Sequence, residues 1–250
     1  MCRQATFRLK ARTFKLQNLP LKTVRNEVLG RLYEDPRIAI VEEFLHRDAQ
    51  VYVLGGAVRD SIAADLGRSG QFAPRDFDVG VSGMGAIEFE DIVSGSGRRN
   101  RHGGFVLEHP GQPTWDIWRL ESSIGLRKTG APFSLENVLR SFNLDCNATA
   151  LDIRTGLVFD LGAIGSIRRK QVGLVDGVIR HSSRTFAAKA LLSQTRFGYS
   201  ASRGVEFLIK RHLEGESLLH ESHKTFPGLA VVGAAVFASG RQCPNGHRVS

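Results

Sequence analysis

The sequence predicts an α+β fold, a small mixed sheet with flanking helices followed by a short α-helical piece. Short β-rich runs such as Gln50–Leu54 and Phe105–Leu107 alternate with helically spaced segments in the first two thirds of the chain. Helical spacing alone continues after that. At 250 residues, 42% hydrophobic and 24% charged, the chain has the composition of a folded globular protein. It is long enough for one large domain, or for one domain with a smaller helical appendage.

The elements follow in order. Residues 24–47 show helical spacing through Val24, Val28 and Leu32, then Ile38, Val41, Phe44 and Leu45 after a break at Pro36. Gln50–Leu54 reads as a strand ending at a double glycine, and 57–66 as a helix. Residues 76–81 alternate as a strand does, and Phe105–Leu107 and 114–120 are two more. Between them, 94–104 is glycine-rich and carries Arg98, Arg99 and Arg101, which predicts a flexible basic loop. A helix over 135–144, a strand over 146–153, a turn at Thr155-Gly156 and a strand over 158–161 complete the sheet region. Two further helices are expected over 186–197 and 206–219, and beyond His220 the pattern fades. The expected organisation is a basic segment over 1–30, a sheet domain over 31–165, a helical region over 166–220 and a tail over 221–250.

The net charge of +9 points to a polyanionic partner. The longest apolar run, 228–238, is far too short to span a bilayer, so no membrane association is expected. Cys2, Cys146 and Cys243 are well separated and give neither a disulfide framework nor a zinc spacing, which suits a reducing compartment and predicts a cytoplasmic protein. The first 26 residues hold no acid and seven basic residues. Such a start fits a nucleic-acid-binding arm or an organelle-targeting segment, although no cleavage-site chemistry accompanies it.

Three short stretches carry candidate chemistry, and each also has a plain structural reading. In Leu54-Gly55-Gly56-Ala57-Val58-Arg59-Asp60 a strand runs through two glycines into a helix, whose first amides and Arg59 offer an anion site. Taken alone, Gly-Gly there is a turn. In Arg75-Asp76-Phe77-Asp78-Val79 the two carboxylates share one face of a strand, where they repel unless a cation lies between them. Taken alone, the pair is a solvated strand end. In Thr114-Trp115-Asp116-Ile117-Trp118-Arg119 an acid sits among apolar neighbours, which is unfavourable unless it is paired or metal-bound, an ion pair with Arg119 being the simpler alternative.

Their order and spacing make one constellation. It resembles the head domain of the class II tRNA nucleotidyltransferase and bacterial poly(A) polymerase family, whose first motif is close to Leu-Val-Gly-Gly-x-Val-Arg-Asp followed, after a spacer, by Asp-x-Asp. The stretch Asp116-Ile117-Trp118-Arg119 is similar to the family's strand bearing a third carboxylate, with Asp for Glu. Arg140-Ser141-Phe142-Asn143-Leu144-Asp145-Cys146-Asn147-Ala148 is similar to its Arg-Arg-Asp-Phe-Thr-Ile-Asn-Ala element. Ile179-Arg180-His181 and Thr195-Arg196-Phe197-Gly198-Tyr199 resemble the start of the neck, so the likeness extends over about 38–200.

The resemblance implies a polymerase-beta-like nucleotidyltransferase head followed by a short α-helical neck. It further implies metal-dependent, template-independent transfer of a nucleotide from ATP or CTP to an RNA 3′ end. Asp76, Asp78 and Asp116 would hold two Mg2+ ions, with Gly55, Gly56 and Arg59 on the triphosphate. Arg140, Asn147, Arg180, Arg184, Lys189 and Arg196 are further candidates for triphosphate, base or acceptor contacts. Departures matter equally. The family's neck helix begins Glu-Asp-x-x-Arg, a base-reading motif, where this chain has Phe186-Ala187-Ala188-Lys189-Ala190, with no acid and no arginine. Asn143 stands where the family has Asp, and the long helical body and tail are expected to be missing. CCA addition is therefore not expected. Two other activities stay open: modification of a protein or synthesis of a signalling oligonucleotide, and RNA binding without turnover.

Overall fold

The computed structural model describes residues 15–67, 72–142, 144–175, 189–191, 193–194 and 197–213. Its centre is an eight-stranded sheet in the order β1-β8-β7-β2-β3-β6-β5-β4. The strands are β1 (Gln17–Leu19), β2 (Gln50–Leu54), β3 (Asp76–Ser82), β4 (Arg98–Arg99), β5 (Phe105–Leu107), β6 (Thr114–Arg119), β7 (Thr149–Asp152) and β8 (Val158–Asp160). All neighbours are antiparallel except β3 and β6, which run parallel. A mixed sheet is what the sequence predicts, and six of its eight strands answer to predicted ones, β1 and β4 being the additions.

Strand alternation divides the apolar side chains between two faces. Val51, Val53, Phe77, Val79, Trp115 and Ile117 pack on one face against α1 (Lys22–Tyr33), α2 (Ile38–His46), α3 (Gly56–Asp65) and α4 (Ala86–Val93). Tyr52, Leu54, Ala148 and Ala150 pack on the other against Leu126 of α5 (Ile124–Thr129) and Val138 and Leu139 of α6 (Leu135–Arg140). Asp76, Asp78 and Asp116 alternate with buried neighbours of the first face, so they belong to the second. Arg37 ties the base of this arrangement together. It is buried over the Trp115 ring, pairs with Asp35 and donates to the carbonyls of Leu107 and Pro113.

After α7 (Ala163–Arg169), β9 (Gln171–Val172) pairs in parallel with β10 (Ser200–Ala201), which leads into α8 (Arg203–Leu213). Ala190, Tyr199, Val205 and Ile209 join the first-face core, so this helical region is packed on the sheet domain.

Several expectations shift. The loop over 94–104 contains β4, closed against β5 by a tight turn in which the Asn100 amide donates to the Gly104 carbonyl at 2.8 Å. Gly104 makes that closure possible, because a Cβ there would lie 2.6 Å from the Ile117 carbonyl oxygen. The helix expected over 135–144 is capped by Ser134 and stops at Arg140. The strand expected from 146 begins at Thr149, after a 3-10 turn held by Asp145, whose carboxylate accepts from Ser166 Oγ and the Gly173 amide. β1, α4, α5 and α7 have no counterpart in the sequence expectations. The helix expected over 186–197 is helical at its described positions, and the remainder of it lies outside the described residues.

Candidate active site

β2 ends at Leu54, and the chain turns through Gly55 at φ 63° and ψ −115° into α3. That conformation favours glycine, and a Cβ at Gly55 would approach Asp78 Oδ2 to 3.4 Å. A Cβ at Gly56 would lie 3.8 Å from Asp76 Oδ1, so the first turn of α3 abuts both β3 carboxylates. On the other side of β3, Asp78 is the register partner of Asp116 on β6. Two parallel strands and one strand-to-helix turn thus bring Asp76, Asp78, Asp116, Gly55 and Gly56 to one edge.

Each acid is held differently. Asp76 is half exposed and takes Arg75 Nη2 on Oδ2 at 2.8 Å, leaving Oδ1 towards the glycine turn. Asp116 accepts from Asn100 Nδ2 at 2.7 Å, while Asn100 Oδ1 takes the amides of His102 and Gly104. Arg119, the alternative ion-pair partner, faces the other way and lies 3.5 Å from Glu121. Asp78 has no hydrogen-bond donor among the described residues. Burial, reinforced by the charges of Asp76 and Asp116, pushes its carboxyl up to about 7, and Lys189 and Arg59 pull against that rise. Burial also raises the Asp116 carboxyl, opposed by the Asn100 hydrogen bond and by His102. The His102 imidazole is held below its usual range by burial and by Arg101, Arg127 and Lys128.

A cleft of about 280 Å³ opens beside these acids. Its polar lining includes Asp78, Asp116, Asn100, Asn147 and Lys189, and its apolar wall includes Trp118, Ile124, Val138 and Phe142. Asn147 and Lys189, both singled out from the sequence, therefore stand at the site. Arg59 is close by but engaged: it pairs with Asp60, donates to Asn147 Oδ1, and lies 4.6 Å over the Phe197 ring. Arg140 lies outside the cleft lining and pairs with Glu136 one turn back on α6. Arg180, Arg184 and Arg196 lie outside the described residues. Asn100, Ser123 and Ile124 were not foreseen. The signal for Asn100 was an Asn directly before the glycine-rich turn, where its short side chain can bond the backbone.

Among the described residues, no three His, Cys, Asp or Glu side chains are drawn into a closed metal-ligand set. The donor chemistry nevertheless fits a hard cation. The three groups are all carboxylates on one face, and among the described residues one is desolvated without a donor and the other two each have one oxygen held and one remaining.

No family model and no curated protein sequence matches the chain. Solved structures do. The Thermotoga maritima CCA-adding enzyme complexed with tRNA aligns at 22% identity and TM-score 0.53, over 78% of this chain and 47% of that one. A CCA-adding enzyme with CTP aligns at 22% identity and TM-score 0.51, with the same coverage. A tRNA-processing enzyme complex aligns at 20% identity and TM-score 0.51, over 70% of this chain and 46% of that one. The chain spans about half the length of the solved structures it matches. At this identity the likeness is one of fold: over the matched part, this chain has the fold seen in the CCA-adding enzymes.

Proposed function

We propose that this protein is a metal-dependent, template-independent nucleotidyltransferase that moves an NMP from ATP or CTP to the 3′ hydroxyl of an RNA. The observation that carries this reading is the in-register Asp78–Asp116 pair on parallel strands, with Asp76 on the same face and a glycine turn against it. The carboxylate oxygens left free of protein donors, Asp76 Oδ1, both of Asp78 and Asp116 Oδ2 among the described residues, support it, as does the likeness to structures solved with CTP, with ATP and with tRNA. In this reading the transfer domain is 31–165 and 166–220 is a helical neck-like region, from which Lys189 reaches the cleft.

Asp76, Asp78 and Asp116 would hold two Mg2+ ions, which supply charge neutralisation and lower the pKa of the attacking hydroxyl. The α3 amides after Gly55 face the triphosphate, where helix N-terminal N–H groups favour an anion. Lys189, at the cleft and near enough to Asp78 to lower its pKa, adds a cation on the same side. Arg59 orients Asn147 rather than reaching outward. The acceptor oxygen attacks the α-phosphorus, the α–β anhydride bond breaks, pyrophosphate departs and the hydroxyl proton passes to solvent. Positioning and charge stabilisation carry the step.

A second reading keeps the chemistry and changes the acceptor to a protein side chain or a growing oligonucleotide. Residues 186–190 contain no carboxylate and no arginine, so the partners that would select the incoming base in the resembled motif are missing. The test is incubation with Mg2+, each labelled NTP in turn and a total RNA pool, beside an Asp76→Ala/Asp78→Ala variant. Metal-dependent label in RNA that the variant lacks supports the proposal. Label in protein or short oligonucleotides supports the second reading, and RNA binding without turnover contradicts both.

A further inference from the structure

The sheet gives the site a direction. The glycine turn and the α3 amides lie on the β2 side of β3, whereas Asp116 stands on β6, on the far side. If the triphosphate lies over the turn, the space beyond β6 remains for the acceptor. Two segments far apart in sequence meet there. The Arg127 guanidinium on α5 donates to the His102 carbonyl in the β4–β5 turn at 3.2 Å, and Arg101 Nε donates to His102 Nε2 at 3.1 Å.

The side chains of Arg101, Arg127 and Lys128 are exposed, and none pairs with a carboxylate among the described residues. Their neighbours differ: Arg99 is held by Glu90 at 2.6 Å and Arg119 by Glu121 at 3.5 Å. Next to this rim is the apolar wall of the cleft. Trp118 is half-buried there, its ring fixed by an Nε1–H bond to Ser123 Oγ at 3.2 Å. Uncompensated cations beside an oriented aromatic ring are the two ingredients of single-stranded nucleic-acid binding. The cations track the backbone, and the ring stacks a base.

We propose that this face is the acceptor track: a single-stranded RNA 3′ end lies with its phosphates on Arg101, Arg127 and Lys128 and its terminal base against Trp118, beside Asp116. The identity of the bound end rests on the nucleotidyl-transfer reading above, and the binding surface is tested independently of turnover.

The measurement is anisotropy of a short 5′-fluorescein single-stranded RNA, titrated with the full chain over a range of salt. Arg127→Ala/Lys128→Ala is expected to weaken binding at least about tenfold and to flatten the log K against log salt slope by about 1.4, at roughly 0.7 per phosphate contact on a single strand. Arg168→Ala/Arg169→Ala, an equal charge change on α7, is expected to do much less. Trp118→Ala should weaken binding about tenfold and Trp118→Phe restore most of it. RNA should also quench tryptophan fluorescence, since Trp115, the only other tryptophan, is fully buried. The proposal fails if the α5 variant binds normally, if the α7 variant falls equally, or if NTP rather than RNA quenches Trp118. RNA binding of the expected pattern without nucleotide transfer would keep the surface and reject the activity. Normal transfer with variant-insensitive RNA affinity would do the reverse.

Discussion

The Asn100 side-chain amide donates to Asp116 Oδ1 at 2.7 Å, and its carbonyl oxygen is itself fixed by the backbone amides of His102 and Gly104. The β4–β5 turn therefore aims one carboxylate oxygen at a protein donor and leaves the other for the cleft. In Asn100→Ala the carboxylate loses its orientation, while the fold, held elsewhere, persists. Groups that orient a metal ligand typically matter by about 10–100-fold in affinity or rate. A Mg2+ titration of the transfer rate should show a raised half-saturation, with circular dichroism unchanged. An unaltered Mg2+ dependence would deny Asn100 that role.

Asp78 predicts a pH signature. Its folded-state carboxyl sits at about 7, above the unfolded value of 3.8. The metal-free folded protein therefore binds more protons than the unfolded chain between those values, and this contribution to stability is lost as pH rises from about 4 through 7. Asp78→Asn removes the titration. Its melting temperature relative to wild type should be raised by a few degrees at pH 8, with little or no gain at pH 4. Added Mg2+ should stabilise wild type at pH 8 and leave the variant unchanged. A pH-independent difference between the two would contradict this assignment.

Gly55 occupies a backbone region that side chains avoid, at φ 63° and ψ −115°. Gly55→Ala is expected to destabilise by about 1–3 kcal/mol through backbone strain, since its Cβ would meet Asp78 Oδ2 only at an ordinary contact distance of 3.4 Å. Urea midpoints at pH 6 and pH 8 measure the effect. A midpoint shift near zero would mean that the turn relaxes.

Asp35 and Arg37 form a buried pair under β5 and β6. Asp35→Ala leaves the guanidinium uncompensated beneath Trp115, which should destabilise by about 3–5 kcal/mol in chemical unfolding. A change below about 1 kcal/mol would show that the two carbonyl acceptors are sufficient.

What the sequence made legible was local. Asp76 and Asp78 could be placed on one face because strand periodicity is exact over two residues, and the Gly55-Gly56 turn was visible because glycine marks unusual backbone. Asp116 was placed on a buried strand by its apolar neighbours. Its pairing in register with Asp78 is a contact between distant segments, carried by β3–β6 hydrogen bonding that no local pattern encodes. Asn100 was hidden for the same reason, since its partner Asp116 is 16 residues away across a hairpin read as a loop. The meeting of Arg127 with the His102 carbonyl likewise depends on where α5, an unforeseen short helix, is set down. Arg59 shows the converse: its chemistry suggested a phosphate fork, and tertiary packing turned its donors to Asp60 and Asn147.

Transfer of an NMP at the Asp76/Asp78/Asp116 face is tested by comparing ATP or CTP labelled at the α-phosphorus with the same nucleotide labelled at the γ-phosphorus, in the presence of Mg2+ and RNA. NMP transfer requires α-label joined to the RNA 3′ end, γ-label recovered as pyrophosphate, and neither event in Asp78→Ala. Label from the γ-position in the product, or undiminished α-label incorporation by Asp78→Ala, would contradict it.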